Sequence, residues 1–229
     1  MQIRQIILLV VCAMGFVTAS HSQRRSHGVV YIRNGFGLGG GITQFNINTD
    51  NFVTNRGNGW VGGLAATLDL PHKIYTVSYG MQFSESTIGI MGKSLPVSQS
   101  EPLDYKLLMA QAQFLFHLKL AKDYLMLDAG PMLQYNSALE LKDSGKENYI
   151  IDGYDVLLAK DISEISKFNV NASVGATAGF SHFKLRVQYV LGLTNMLNKL
   201  NGQDLDTGPS NKTFKGNQSM LSFMAFIYF

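Results

Sequence analysis

Residues 180–194 read FSHFKLRVQYVLGLT. Phe183, Leu185, Val187, Tyr189, Leu191 and Leu193 occupy every second position, and His182, Lys184, Arg186 and Gln188 fall between them. Period two is the mark of a strand with two unlike faces. The preceding run alternates in the same way. Phe168, Val170, Ala172, Val174, Ala176, Ala178 and Phe180 share one face, and Asn169, Asn171, Ser173, Gly175, Thr177 and Gly179 the other. Only a tight turn near Ser181 and His182 fits between the two.

The pattern recurs along the chain. Tyr105 to Leu120, Tyr124 to Asn136 and Ile74 to Ser84 alternate cleanly, while Trp60 to Leu70 and Tyr31 to Ile47 are Gly-rich versions. The end of the sequence, Asn217 to Phe229 (NQSMLSFMAFIYF), makes eight predicted strands. Leu221, Phe223, Ala225, Ile227 and Phe229 take one face of it; Met220, Ser222, Met224, Phe226 and Tyr228 take the other. The connections alternate between long (Asn48 to Gly59, Glu85 to Asp104, Ser137 to Lys167, Asn195 to Gly216) and short (Pro71 to Lys73, Ala121 to Asp123, Ser181). Long loops on one side and tight turns on the other predict an all-β, eight-stranded antiparallel up-and-down transmembrane barrel. Closure satisfies every backbone N–H and C=O, which lipid cannot do.

A soluble barrel or β-sandwich also alternates, so composition must decide. Only 15% of the 229 residues are charged, against roughly 25% in a soluble domain. The polar faces are rich in Asn, Gln, Ser, Thr and Gly, whereas a surface in water would carry more Lys and Glu. Trp60, Tyr75, Tyr105, Tyr124, Tyr135 and Phe229 sit near strand ends, as in interfacial girdles. Charge gathers in the long connections, most of all between Asp143 and Glu164. With the apolar faces toward lipid, Asp128, Lys184, Arg186, Gln111, Gln113 and Gln188 point into the lumen. Eight strands leave room only for side chains to fill it. The expected lumen is a packed polar core in which Lys184 and Arg186 find Asp128 and amide partners. The alternative is a narrow channel for small solutes. Phe229 is expected to serve as an interface anchor and assembly signal.

The N-terminus reads as an export signal over residues 1–22, with Arg4, the apolar Ile6 to Val17, and cleavage after Ala19 or Ser22. The apolar run is shorter than the ~20 residues of a spanning helix. The barrel domain is then 23–229. Cys12 is the only cysteine; Val11 stands where a lipoprotein signal needs a small residue, so the mature chain has no thiol chemistry. The net charge of +3, without basic and aromatic clusters, excludes nucleic acid.

Four stretches resemble the PorT-like outer-membrane β-barrel family of Bacteroidetes: IYTVSYGMQFS (74–84), LDYKLL (103–108), YLMLDAGPMLQY (124–135) and LRVQYVLGLTN (185–195). They occur in the family's order, although Lys106 and Gln111 depart from its pattern. The resemblance implies a barrel in the outer membrane of a Gram-negative bacterium, with periplasmic termini. A barrel in that place is expected to contact outer-membrane lipid and lipopolysaccharide, and the assembly machinery during biogenesis. One member is linked to protein secretion, so an accessory role there is a further expectation.

Catalysis on such a barrel needs a His beside a Ser and a carboxylate. His72 and His182 are expected in short turns and His117 near the inner end of its strand, which favours no enzyme. Gly35 to Gly41 (GFGLGGG) is followed by no helix and no Lys-Ser/Thr, so it is a flexible strand rather than a phosphate loop. No metal-ligand or cofactor spacing is present. The expected function is non-enzymatic, structural or interactive through the surface loops, with a possible protein partner there; a lipid A-modifying enzyme is the last alternative.

Overall fold

Alternation of this kind leaves one face of each strand apolar and the other polar, and a closed ring separates the two. The computed structural model describes residues 33–69, 73–94, 99–121, 123–208 and 213–229. The signal segment, Cys12, His27 and His72 lie outside the described residues. The strands are β1 (Arg33–Thr49), β2 (Thr54–Asp69), β3 (Tyr75–Lys93), β4 (Ser100–Ala121), β5 (Leu125–Asn136), β6 (Glu140–Leu141), β7 (Ile150–Ile151), β8 (Phe168–Gly179), β9 (Phe183–Gly192) and β10 (Gly216–Tyr228). Eight of them form an antiparallel ring in the order β1-β2-β3-β4-β5-β8-β9-β10, closed where β10 pairs with β1. The two-residue β6 and β7 add to the loop ends of β4 and β3. The fold is an eight-stranded up-and-down barrel.

Three turns lie at one end. The β8–β9 turn is held by Phe180 N–H donating to Phe183 O at 2.7 Å. Gly179 enters it at φ +152°, and a Cβ there would meet Phe183 O at 2.2 Å, so only glycine fits. At the same end Phe229 N–H donates to Phe36 O at 2.8 Å, which ties the final residue to β1.

Outward side chains form an apolar belt. Leu38 and Ile42 on β1, Trp60 and Leu64 on β2, Tyr79 and Phe83 on β3 and Phe116 on β4 are all exposed, as are Leu133 on β5, Leu185 on β9 and Phe223 on β10. Such a continuous belt suits lipid and not water. Trp60, Tyr75, Tyr124, Tyr135 and Phe229 are exposed on this surface, but Tyr105 is not. It points inward, is fully buried, and donates its hydroxyl to Ala159 O at 2.9 Å. That corrects its assignment to the aromatic girdle.

A second correction concerns strand length. β3 has 19 residues and β4 has 22, well beyond the ~9–11 that cross a bilayer. Most of Asn48 to Gly59 and of Glu85 to Asp104, read as long loops, is strand. In this extension the alternation changes sign. Phe45, Ile47, Ile88, Ile90, Leu103 and Leu107 point inward and are fully buried. Outward positions become polar: Gln44, Asn46 and Asn48 on β1, Glu85 and Thr87 on β3, Asp104 and Lys106 on β4. Outside lipid the barrel needs an apolar interior and a wet exterior, so the two faces exchange roles.

Segments 137–167, 193–208 and 213–215 pack into that extension. Leu139, Ile151, Tyr154, Leu157, Ile162 and Ile165 from the first join Met196, Leu197 and Leu200 from the second and Phe214 from the third in one buried cluster with the strand residues. Burying each such aliphatic side chain stabilises the cap by about 1.5–3 kcal/mol before ordering costs. Backbone bonds pin the first two segments to each other and to the strands: Ser166 N–H to Met196 O at 2.9 Å, and Met196 N–H to Gly216 O at 2.7 Å.

Candidate functional site

Below the apolar cap, the inward side chains at belt level are polar and stacked in layers. Nearest the cap, Asn169 Nδ2 donates to Asn136 Oδ1 at 2.7 Å. Next comes an amide layer. Gln134 and Gln218 exchange hydrogen bonds at 2.6 and 2.8 Å, and Gln111 Nε2 donates to Gln134 Oε1 at 2.9 Å. Gln188 Nε2 then crosses the lumen to Gln113 Oε1 at 2.7 Å. These bonds join β4, β5, β9 and β10 through their side chains as well as their backbones.

The lowest full layer is ionic. Asp128 on β5 accepts from His117 Nδ1 at 2.5 Å through Oδ1, and from the Thr177 hydroxyl through Oδ2. Arg186 Nε donates to Thr177 Oγ1 at 3.1 Å and lies 3.7 Å from Asp128 Oδ2. A carboxylate only accepts, so His117 Nδ1 carries a proton and Nε2 is left facing the Ser78 hydroxyl at 2.6 Å. Strand register produces this arrangement. His117 is directly opposite Asp128 across β4–β5, and Thr177 is opposite Arg186 across β8–β9. All five side chains are buried. A buried charge is tolerable only when paired and hydrogen-bonded, and Asp128 is both.

Beside the ionic layer one part of the lumen is apolar and aromatic. Val61, Ala65, Met224, Phe226 and Tyr228 form a small cluster. The Gly-rich stretch of β1 makes room for it. A Cβ on Gly39 would stand 2.5 Å from Phe226 Cδ1, and one on Gly37 would stand 2.8 Å from Tyr228 Cε1. The missing side chains form a trough for two rings of the closing strand. Arg186 lies over the Phe226 ring at 4.8 Å, which joins the aromatic half to the ionic layer.

The structure therefore brings Asp128 and Arg186 together and places Gln111, Gln113 and Gln188 in the same lumen. Lys184 differs from the expectation. It lies over the Tyr228 ring at 5.2 Å instead of bonding to Asp128, because it sits two positions nearer the short-turn rim than Arg186. The rim also holds Lys119, bridged to Asp69 at 2.6 Å and Asp123 at 3.0 Å. Ser78 and Thr177 carry no signal in composition or motif, and His117, which the sequence places only near the inner end of its strand, is tied to Asp128 by its inward parity and hairpin register.

Ser78, His117 and Asp128 have the relative placement of nucleophile, base and orienting carboxylate. Catalysis also needs donors for an oxyanion and space for the acyl group. Ser78 is 1% exposed. Two surface concavities, of ≈520 and ≈300 Å³, are lined by other residues. Among the described residues no three His, Cys, Asp or Glu side chains lie close enough to share a metal ion.

No family model and no curated sequence matches the chain. Two solved structures are similar in fold. Neisserial surface protein A shares 10% identity over 85% of this chain and 97% of its own, with a TM-score of 0.48. Ail, the attachment invasion locus protein of Yersinia pestis, was solved with the heparin analogue sucrose octasulfate. It shares 11% identity over 86% of this chain and 99% of its own, with a TM-score of 0.46. The fold itself rests on the strand pairing described above, and likeness at this level carries nothing about function.

Proposed function

We propose that the chain is a non-enzymatic outer-membrane β-barrel protein of a Gram-negative bacterium, acting through its capped loop end in a structural or interaction role. One observation carries this reading: the inward side chains are buried at both levels, in a hydrogen-bonded polar network at belt level and an apolar cluster above it. The apolar belt, the closed ring and the one-sided short turns support a membrane location with the turns toward the periplasm. The four strand motifs in order support kinship with the PorT-like family, and an accessory role in protein secretion is one form the loop interactions would take. Planar-bilayer recording tests the filled lumen. Reconstituted protein is expected to give no steady conductance, and a stable open current would replace this reading with the narrow channel.

The Ser78–His117–Asp128 array favours a second reading, an acyl-transfer enzyme whose lumen opens to admit a lipid ester. A fluorophosphonate probe decides. Labelling of the folded barrel that vanishes in Ser78→Ala would establish an active serine, and no labelling leaves the array as a structural tie.

A further inference from the structure

We propose that the outer wall of the barrel holds an acyl chain of lipid A in a groove between β3 and β8. This rests on the outer-membrane reading above. Two cross-strand rows define the groove. In one, Ala110 of β4 lies between Phe83 of β3 and Tyr135 of β5; in the other, Ala112 lies between Met81 and Leu133. Phe168 of β8 stands against Tyr135 with ring centroids 5.0 Å apart and extends that wall. Two consecutive small side chains flanked by long ones leave a concavity of ≈300 Å³.

Position selects the occupant. Met81, Phe83, Leu133, Tyr135 and Phe168 face outward within the apolar belt, so the guest is an aliphatic chain. The rows lie in the loop-side half of the belt, four and six residues below Lys106 on the same face of β4. With the loops outside the cell, that half meets the outer leaflet, whose lipid is the phosphorylated, multiply acylated lipid A. Lys106 faces outward at 36% exposure and is ion-paired with Glu85 at 2.9 Å, so the phosphate of a seated lipid would share its ammonium by displacing that carboxylate. The attraction is not hydrophobic transfer, since the bulk tails are equally apolar. It comes from close packing of one chain against fixed walls, together with the headgroup charge.

The test is native mass spectrometry of the full chain extracted from outer membranes in mild detergent. A one-to-one lipid A adduct is expected on the wild type and on a control, Ala178→Phe, which lies in the opposite half of the belt. Ala112→Phe fills the groove and is expected to retain about tenfold less; Ala112→Leu serves where the larger residue prevents folding. Heat-modifiable gel mobility is read on every sample. Failure to shift would overturn the membrane-barrel reading itself. A shifting barrel with equal retention in all variants, or one that retains only phospholipid, would overturn the groove while leaving the barrel intact.

Discussion

Asp128→Ala is the most informative single change. In the folded barrel the Asp128 carboxylate holds His117, Thr177 and Arg186 at once. Its removal leaves Arg186 at 2% exposure with no counterion in contact among the described residues, where Arg186 Nη1 already has no hydrogen-bond partner. Breaking a buried ion pair from one side costs about 3–5 kcal/mol. The donors left on His117 and Thr177 add to this, but not additively. With a urea dependence of about 1–3 kcal/mol per molar, the unfolding midpoint should fall by about 2 M. The assay is urea titration of barrel reconstituted in vesicles, followed by Trp60 fluorescence and by the folded-form gel shift. Asp128→Leu combined with Arg186→Leu should recover much of the loss, because an apolar replacement of a buried pair is often neutral. If Asp128→Ala unfolds within about 1 kcal/mol of the wild type, the ionic layer is not a principal tie and the reasoning fails.

Gly39→Ala should destabilise by about 1–3 kcal/mol through overpacking against Phe226, and Phe226→Leu should relieve it; a silent Gly39→Ala would deny the trough. Tyr105→Phe removes the hydroxyl that holds Ala159 O, and should loosen segment 137–167 by about 1 kcal/mol, read as faster protease cleavage there. Glu164 is held below the usual carboxylate range, first by the hydrogen bond from the Lys199 ammonium and then by its charge. A depressed folded-state value stabilises above the unfolded value and is lost as pH falls through the folded one. The tie between the two capping segments should thus hold at neutral pH and be lost as pH falls through the depressed Glu164 value, below the ordinary carboxylate range. Protection factors in 193–208, corrected for the intrinsic exchange rate, that are unchanged between pH 7 and pH 3 would contradict this. Phe229→Ala removes an exposed aromatic at the short-turn rim and should lower the yield of inserted, heat-modifiable barrel.

Legibility followed the environment of each strand level. At belt level lipid outside and side chains inside give one fixed sign of alternation, so the face assignments of β5, β8, β9 and β10 could be read directly. The same rule concealed the upper parts of β3 and β4. Ile88, Ile90, Leu103 and Tyr105 keep their parity but reverse their polarity, so a search for apolar outward positions ends too early. The role of His117 is hidden because its meaning lies in a partner eleven residues away across a turn. The role of Gly37 and Gly39 was hidden for a related reason: the rings they accommodate belong to the far end of the chain.

The exchange of polarity between the two levels also fixes how deep the molecule floats. Sliding the barrel toward its short-turn side by one residue pair, roughly 6–7 Å of strand, would draw Gln44, Glu85 and Lys106 into hydrocarbon. Lysine and arginine at the midplane of a bilayer cost about 2–4 kcal/mol each, and less near the interface. Sliding it the other way would lift Leu108 and Phe83 into water. Resistance in both directions makes the changeover a draught mark, which holds the capped end at a set height above the lipid whatever the loops meet there.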